Sequence, residues 1–180
     1  MRGERGTAHR VGDELPPLEI PLTRTLIVAG AIASRDYQDV HHDAELAREK
    51  GSPDIFMNIL TTNGLVGRYI TDHFGPTAVL RKVAIRLGAP NHPGDVMRLT
   101  GRITALAAED PAAVPAEDPA ADPTGDPAGD PAGDPAADSA GDPIAYPVRA
   151  TVEVTGDNGI GRHVTGTVTV TLPRKGISGT

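Results

Sequence analysis

Asp36 and His41 are the residues of this chain whose types and spacing best suit proton-transfer chemistry. They lie in residues 34–43, where carboxylates and imidazoles are crowded between two segments with helical patterns. A helix face requires spacings of three or four residues, so a loop must bring this pair together. In contact, the pair can hold one water between an acceptor and a proton carrier, which is what the addition or removal of water requires.

The residues alone leave two other interpretations of this stretch open. A loop aspartate commonly forms a turn or caps a helix, and Asp36 would then have a structural role. A metal site is the second alternative, but no other cluster in the sequence completes a coordination shell, and we predict no metal. The ligands of such a metal site would come from Asp36, Asp39, His41, His42 and Asp43. We expect Asp43 to cap the following helix, and His42 either to face solvent or to cap that helix.

The elements around this loop are predicted to be helical. Residues 23–34 form a short helix with Thr23 or Thr25 as N-cap, and residues 43–51 form another that ends at Gly51. Residues 55–74 carry a long, largely apolar pattern typical of a buried central helix, which Gly75 and Pro76 end. The candidate pair therefore lies between two helical pieces.

Strand patterns surround these helices. A short strand is predicted at residues 18–22, and four more follow the central helix at 79–87, 96–104, 148–154 and 164–172, with alternating apolar side chains. We predict that the last four form a meander. The fold class is therefore α+β, with an antiparallel sheet wrapped around the central helix.

An acidic repeat interrupts this pattern between the third and fourth predicted strands. Asp-Pro recurs seven times between Asp110 and Asp142, separated mostly by Ala and Gly. Because proline disfavours helix and the segment has few large apolar side chains, we predict that residues 107–145 are a disordered insertion. The predicted domain spans residues 11–172, with flexible tails at 1–10 and 173–180. An acidic docking arm is the functional alternative for the insertion.

Composition excludes several classes of protein. The 180 residues include no cysteine, which excludes disulfides and thiolate metal sites. The formal charge of -7 comes from residues 109–142, since outside them the 17 Lys and Arg exceed the remaining acidic residues by three. No dense basic patch suggests nucleic acid, and no apolar run suggests a signal peptide or a membrane span. We expect a cytoplasmic protein.

The loop and the order of elements resemble the MaoC-type hydratases and dehydratases, whose motif runs Gly-Asp-x-Asn-Pro-hydrophobic-His-x-Asp. The matching residues are Asp36, Val40, His41 and Asp43, whereas Arg35, Gln38 and Asp39 replace the Gly, Asn and Pro. The resemblance covers residues 11–104 and 146–172. Residues 34–43, 54–60 and 64–69 are similar, more specifically, to the small catalytic subunits of actinobacterial steroid side-chain enoyl-CoA hydratases.

The resemblance implies a single hotdog fold and the hydration of a trans-2-enoyl-CoA in steroid side-chain degradation. It assigns Asp36 and His41 to catalysis and the backbone N–H of Asn58, in the place of the family's Gly donor, to the thioester oxyanion. It implies no cofactor, since coenzyme A is part of the substrate. It also implies a homodimer, or a heterotetramer with a second MaoC-like subunit. A non-catalytic hotdog scaffold and an acyl-CoA thioesterase remain the alternatives.

Overall fold

The computed structural model describes residues 9–108 and 147–173. Its elements are β1 (Glu14–Pro21), α1 (Arg24–Ala33), a 3-10 turn (Asp39–His41), α2 (Ala44–Glu49), α3 (Ile59–Phe74), β2 (Val79–Leu87), β3 (Val96–Ala108), β4 (Val148–Asp157) and β5 (Arg162–Leu172). This order confirms the predicted succession of one strand, helices that include a long central one, and four further strands.

The five strands form one antiparallel sheet in the spatial order β1-β3-β4-β5-β2. The predicted meander is wrong at its first connection, because β2 pairs with β5 and not with β3. The link at residues 88–95 instead crosses the end of the β4–β5 hairpin, where Asn158 donates to the carbonyl of Pro90 (2.8 Å). Strands are about 5 Å apart, so a link of this length can pass two strands as easily as it can form a turn.

Helix α3 packs its apolar face against the sheet. Its buried side chains include Val66, Tyr69 and Ile70, and the alternating pattern of β3 places Met97 and Leu99 on the same core. The other core residues of the sheet are Ile103, Ala150, Val152, Val154, Val164, Val168 and Val170. The alternation predicted for β3 and β4 is therefore confirmed, and burial of this apolar area is the main term that holds α3 in place.

Two elements begin four residues away from their predicted starts, and both errors have a local cause. β1 begins at Glu14, not at residue 18, because a register shift between Leu15 and Leu18 accommodates two prolines that cannot donate to the ladder. α3 begins at Ile59, not at residue 55, because Asn58 has an extended backbone (φ -77°, ψ 162°) and its side chain caps the helix by accepting from the N–H of Thr61.

The predicted insertion at 107–145 begins two residues too early. Ala107 and Ala108 belong to β3 and pair with Arg149 and Val148; the rest of that range lies outside the described residues. The predicted tail at residues 1–10 includes His9, whose ring packs edge-on against Phe74 at 4.9 Å. Residues 1–8 and 174–180 also lie outside the described residues.

The β3–β4 hairpin ends at the opposite end of the sheet from the candidate loop. Val148, where β4 begins, pairs with Leu172, where β5 ends, and Val79, where β2 begins, pairs with Thr171. The other end of the sheet holds the start of β5 and the end of β2. Among the helices within the described ranges, none is long and apolar enough to cross a membrane.

A forked ion pair joins the start of α1 to the segment before α3. Arg24 donates from both terminal nitrogens to the Asp54 carboxylate, at 3.0 and 2.7 Å. This hydrogen-bonded pairing with Arg24, helped by the backbone N–H of Ile55, lowers the pKa of Asp54 to about 2. The pair therefore ties α1 to the segment that leads into α3.

We expect the free energy of unfolding to fall as the pH drops from about 4 to about 2. A carboxyl whose folded-state pKa is below its unfolded value of 3.8 stabilises the fold above that value and loses this contribution on protonation. Urea unfolding at pH 6 and pH 2.5 checks it. Asp54→Asn should be less stable at pH 6 and lose less on acidification. Equal losses in both proteins would contradict the assignment to Asp54.

Candidate active site

A helix C-cap positions Asp36. The N–H of Asp36 bonds to the carbonyl of Ala31 (2.9 Å), and the N–H of Arg35 bonds to that of Ile32 (3.0 Å). These two bonds, with Arg35 in the left-handed region (φ 57°), make a Schellman motif. The carboxylate of Asp36 therefore projects from a fixed point just beyond α1.

Arg35 occupies a backbone conformation that favours glycine. It is the one non-glycine residue with positive φ in the part of the chain that the structure describes. Left-handed backbone costs a residue with a Cβ about 1 kcal/mol or more. The pattern Gly-Asp of the resembling motif has a physical reason here, since the residue before the aspartate must turn the chain.

We expect Arg35→Gly to raise the free energy of unfolding by about 1 kcal/mol, because glycine adopts this conformation without steric cost. Thermal and urea unfolding measure it. Arg35→Ala keeps the Cβ and removes the long side chain, so it should show no such gain. A gain of equal size in both variants would point to the guanidinium and not to the backbone.

One ring nitrogen of His41 is held by a hydrogen bond to the backbone. It lies at the end of the 3-10 turn, is 6 % exposed, and packs edge-on against the ring of Phe56 at 5.0 Å. Nδ1 lies 2.7 Å from the carbonyl oxygen of Phe56. A carbonyl only accepts, so Nδ1 carries a proton and Nε2 is the nitrogen free to exchange one.

The loop brings the predicted pair together, since Nε2 of His41 lies 3.3 Å from Oδ2 of Asp36. With a second proton, His41 donates from Nε2 to the carboxylate. With the ring neutral, both atoms are acceptors, and a water that donates to them satisfies both. The geometry therefore suits the removal of a proton from water and its later return.

The other acidic and histidine residues of the loop have separate partners. Asp39 accepts from Lys50 (2.7 Å), which holds its pKa below the usual value. Asp43 caps α2 through the N–H groups of Glu45 and Leu46, as predicted. His42 is exposed, with Nε2 3.2 Å from the carbonyl oxygen of Tyr37. No group of three or more His, Asp or Glu within the described ranges is arranged to hold a metal ion.

Asn58 connects the pair to α3. Its Oδ1 caps the helix by accepting from the N–H of Thr61 (2.9 Å). Its Nδ2 donates to Oδ2 of Asp36 (3.0 Å) and to Oγ of Ser34 (2.8 Å). The family resemblance implies a role only for the backbone of Asn58; the N-cap preference of asparagine was the available signal for its side chain.

The backbone N–H of Asn58 has no hydrogen-bond acceptor among the described residues. It belongs to the N-cap residue of α3, next to the positive end of the helix dipole. An anion placed beside it would receive both a hydrogen bond and the field of the helix. The assignment of this N–H to an oxyanion stays a prediction.

A cavity of about 300 Å³ opens beside the pair. The loop that carries Asp36 and His41 and the start of α3 form one wall. The end of β2, the link at residues 88–95 (the crossover) and the start of β5 form the other. The lining residues are Asp36, Gln38, His41, Phe56, Met57, Asn58, Ile59, Leu87, Gly88, Ala89, Pro90 and His163. Most of this lining is apolar, which suits a ligand that is largely hydrocarbon.

His163 is a cavity residue that the sequence does not predict. Its Nδ1 lies 2.6 Å from the carbonyl oxygen of Ala89 and its Nε2 lies 2.9 Å from Oγ1 of Thr62. Burial lowers its pKa, and the bond to Ala89 opposes that change. The strand pattern gave no signal, because His163 lies one residue before the predicted strand.

No family model matches the chain. The chain is 48 % identical over 96 residues to the 3-oxo-4,17-pregnadiene-20-carboxyl-CoA hydratase beta subunit of Mycobacterium tuberculosis (strain ATCC 25618 / H37Rv). This match covers 53 % of the chain and 74 % of that protein.

Solved structures share the fold. A chain of the ChsH1-ChsH2 complex from Mycobacterium tuberculosis is similar with a TM-score of 0.67 and 35 % identity, over 92 % of this chain and 99 % of that one. The (R)-hydratase from A. caviae involved in PHA biosynthesis has a TM-score of 0.66 and 16 % identity, over 93 % and 100 %. At that identity the second likeness shows the fold alone, and it agrees with the predicted hotdog architecture.

Proposed function

This chain belongs to the MaoC-like hydratases, and from that premise we propose that it adds water across the double bond of a trans-2-enoyl-CoA in steroid side-chain degradation. The observation that carries this proposal is the contact of 3.3 Å between Asp36 and His41 at the wall of an apolar cavity. The steroid class rests on the name of the Mycobacterium tuberculosis relative.

His41 is the proton carrier of the proposed reaction. Water between Nε2 and Asp36 loses a proton to Nε2 as its oxygen bonds to C3 of the enoyl group. The electron pair of the C2=C3 bond moves toward the thioester, whose carbonyl oxygen becomes an oxyanion. Nε2 then returns the proton to C2, so the product contains the elements of one water and the ring is neutral again.

Asp36 orients the water and stabilises the imidazolium that forms on His41. Its carboxylate is held by the side-chain amide of Asn58 (3.0 Å), which keeps Oδ2 facing Nε2. The oxyanion lies at the backbone N–H of Asn58 in this proposal. In related chemistry, loss of such a donor costs about 3 kcal/mol of transition-state stabilisation.

The proposed substrate carries coenzyme A as its own thioester, and the reaction uses no other cofactor. We propose assembly with a second MaoC-like subunit, supported by the likeness to a chain of the ChsH1-ChsH2 complex. β2 is an edge strand with exposed Val79 and Leu80, and such edges favour pairing with another chain. Homodimer or heterotetramer, and a cytoplasmic location, stay predictions.

Mass spectrometry of the product tests the function. The purified chain, with and without a co-purified MaoC-like subunit, is incubated with enoyl-CoA esters that include steroid thioesters. We expect a product heavier by one water. Release of free coenzyme A without a hydrated product would indicate a thioesterase. Hydration that survives removal of both Asp36 and His41 would indicate a scaffold for an active partner.

A further inference from the structure

A β-bulge at the start of β5 turns His163 toward the cavity. Gly156 of β4 faces Val164 and Asp157 faces Arg162, so His163 is the extra residue on β5. Strict alternation would point His163 away from the face that buries Val164. A bulge re-aims a side chain, and His163 is 1 % exposed and lines the cavity.

His163 bridges the two walls of the cavity. The carbonyl of Ala89 accepts from Nδ1 (2.6 Å), so Nε2 must accept from the hydroxyl of Thr62 (2.9 Å). Ala89 belongs to the crossover wall and Thr62 to the first turn of α3. One neutral imidazole therefore sets the distance between the crossover and the start of the helix.

The crossover wall is itself fixed against β5. The N–H of Gly88 donates to the carbonyl of His163 (2.7 Å), and the N–H of Ala89 donates to that of Arg162 (2.9 Å). A Cβ on Gly88 would lie 2.5 Å from the Arg162 carbonyl oxygen, so the two backbones are in direct contact. The hydrogen bond from Thr62 to His163 therefore holds Thr62 against a rigid part of the fold.

Thr62 in turn contacts the residue that carries the proposed oxyanion donor. Its N–H bonds to the carbonyl of Asn58 (3.2 Å), and its Oγ1 lies 3.4 Å from the same oxygen. A shift of Thr62 therefore moves the peptide groups around Asn58. Thr62 and Asn58 are buried, at 0 and 2 % exposure, so neither residue can move far without moving the other.

We propose that His163 is a positioning residue that, through Thr62, holds the backbone N–H of Asn58 at the site of the oxyanion. This inference rests on the proposed hydration of an enoyl thioester. His163 does not touch the reacting atoms. It fixes the first turn of α3 against the crossover so that the donor is aligned when the negative charge develops.

The test uses Thr62→Val, which keeps the size of the side chain and removes the hydroxyl, and His163→Asn, which keeps a donor for Ala89 but does not reach Thr62. With an enoyl-CoA and any required partner subunit, we expect kcat and kcat/KM to fall together by about tenfold to a hundredfold. The double variant should lose no more than the worse single variant.

Two controls separate positioning from folding. Thr71→Val removes a hydroxyl from the far end of α3, where it bonds to the carbonyls of Gly67 and Arg68, and should leave kcat unchanged. Thr62→Ser keeps the hydroxyl that Thr62→Val removes, and it should keep most of the wild-type rate. Circular dichroism and thermal unfolding confirm that each variant is folded at the assay temperature.

The outcomes distinguish this inference from the function on which it rests. Wild-type hydration with unchanged rates in Thr62→Val and His163→Asn overturns the role of His163 alone. An effect on KM without kcat, or additive losses in the double variant, also overturns it. Absence of hydration by the wild-type chain with its partner overturns the proposed function and this role together.

Discussion

Asp36→Asn and His41→Ala should each lower the kcat of hydration by about a thousandfold, within the range that general acid–base groups contribute. Asparagine at position 36 keeps the size of the carboxylate but carries no charge to stabilise the imidazolium. Alanine at position 41 removes Nε2, the atom that takes and returns the proton in the proposed reaction. Steady-state rates on an enoyl-CoA, measured with the partner subunit if one is required, check both losses.

The two losses should not add, because in the proposed reaction both residues act on one water and one proton. The double variant is expected to be about as slow as His41→Ala alone. His42→Ala is the matched control, since His42 is the exposed neighbour whose ring bonds to the backbone carbonyl of Tyr37. It should keep the wild-type rate. A rate near wild type in Asp36→Asn or His41→Ala would contradict the proposed chemistry.

Gly166→Ala should destabilise the fold by about 3 kcal/mol, the upper part of the usual range for overpacking. A Cβ on Gly166 would lie 2.2 Å from the carbonyl oxygen of Ala84 and 2.8 Å from Cα of Ile85. Both atoms are backbone atoms of β2, so no side-chain rotation relieves the clash. The strand itself must move, and its last residue, Leu87, lines the cavity.

Thermal and urea unfolding measure this loss, and two substitutions calibrate it. Thr167→Ala changes the adjacent, exposed residue of β5 and should alter the free energy of unfolding by less than about 0.5 kcal/mol. Gly64→Ala lies on α3, where a Cβ would meet no atom within 4 Å, and should stabilise by about 1 kcal/mol. A stable Gly166→Ala would mean that β2 and β5 approach less closely.

The sequence was sufficient to predict that Asp36 and His41 meet, because the contact depends on local structure. Asp36 and His41 lie within one loop, and the caps Thr23 and Asp43 on either side follow from side-chain preferences that act over three residues. Periodicity of two also placed the buried faces of β3 and β4 correctly. Each of these features depends on neighbours close in the chain.

The features that sequence reasoning missed depend on contacts between distant segments. The pairing of β2 with β5 is decided by the whole sheet, and the hairpin pattern carries no information about it. The inward turn of His163 requires a bulge that alternation does not reveal. The amide of Asn58 meets Asp36 only once α1 and α3 have packed.

The placement of the β3–β4 hairpin has a practical consequence for this enzyme. Ala108 and Val148 are partners on adjacent strands, about 5 Å apart, at the end of the sheet remote from the cavity. A reporter domain or a surface tether joined at these two residues would be attached at neighbouring points of the sheet. The chain thus offers an attachment point for immobilisation or for a fluorescent sensor at the end of the sheet that lies away from the cavity.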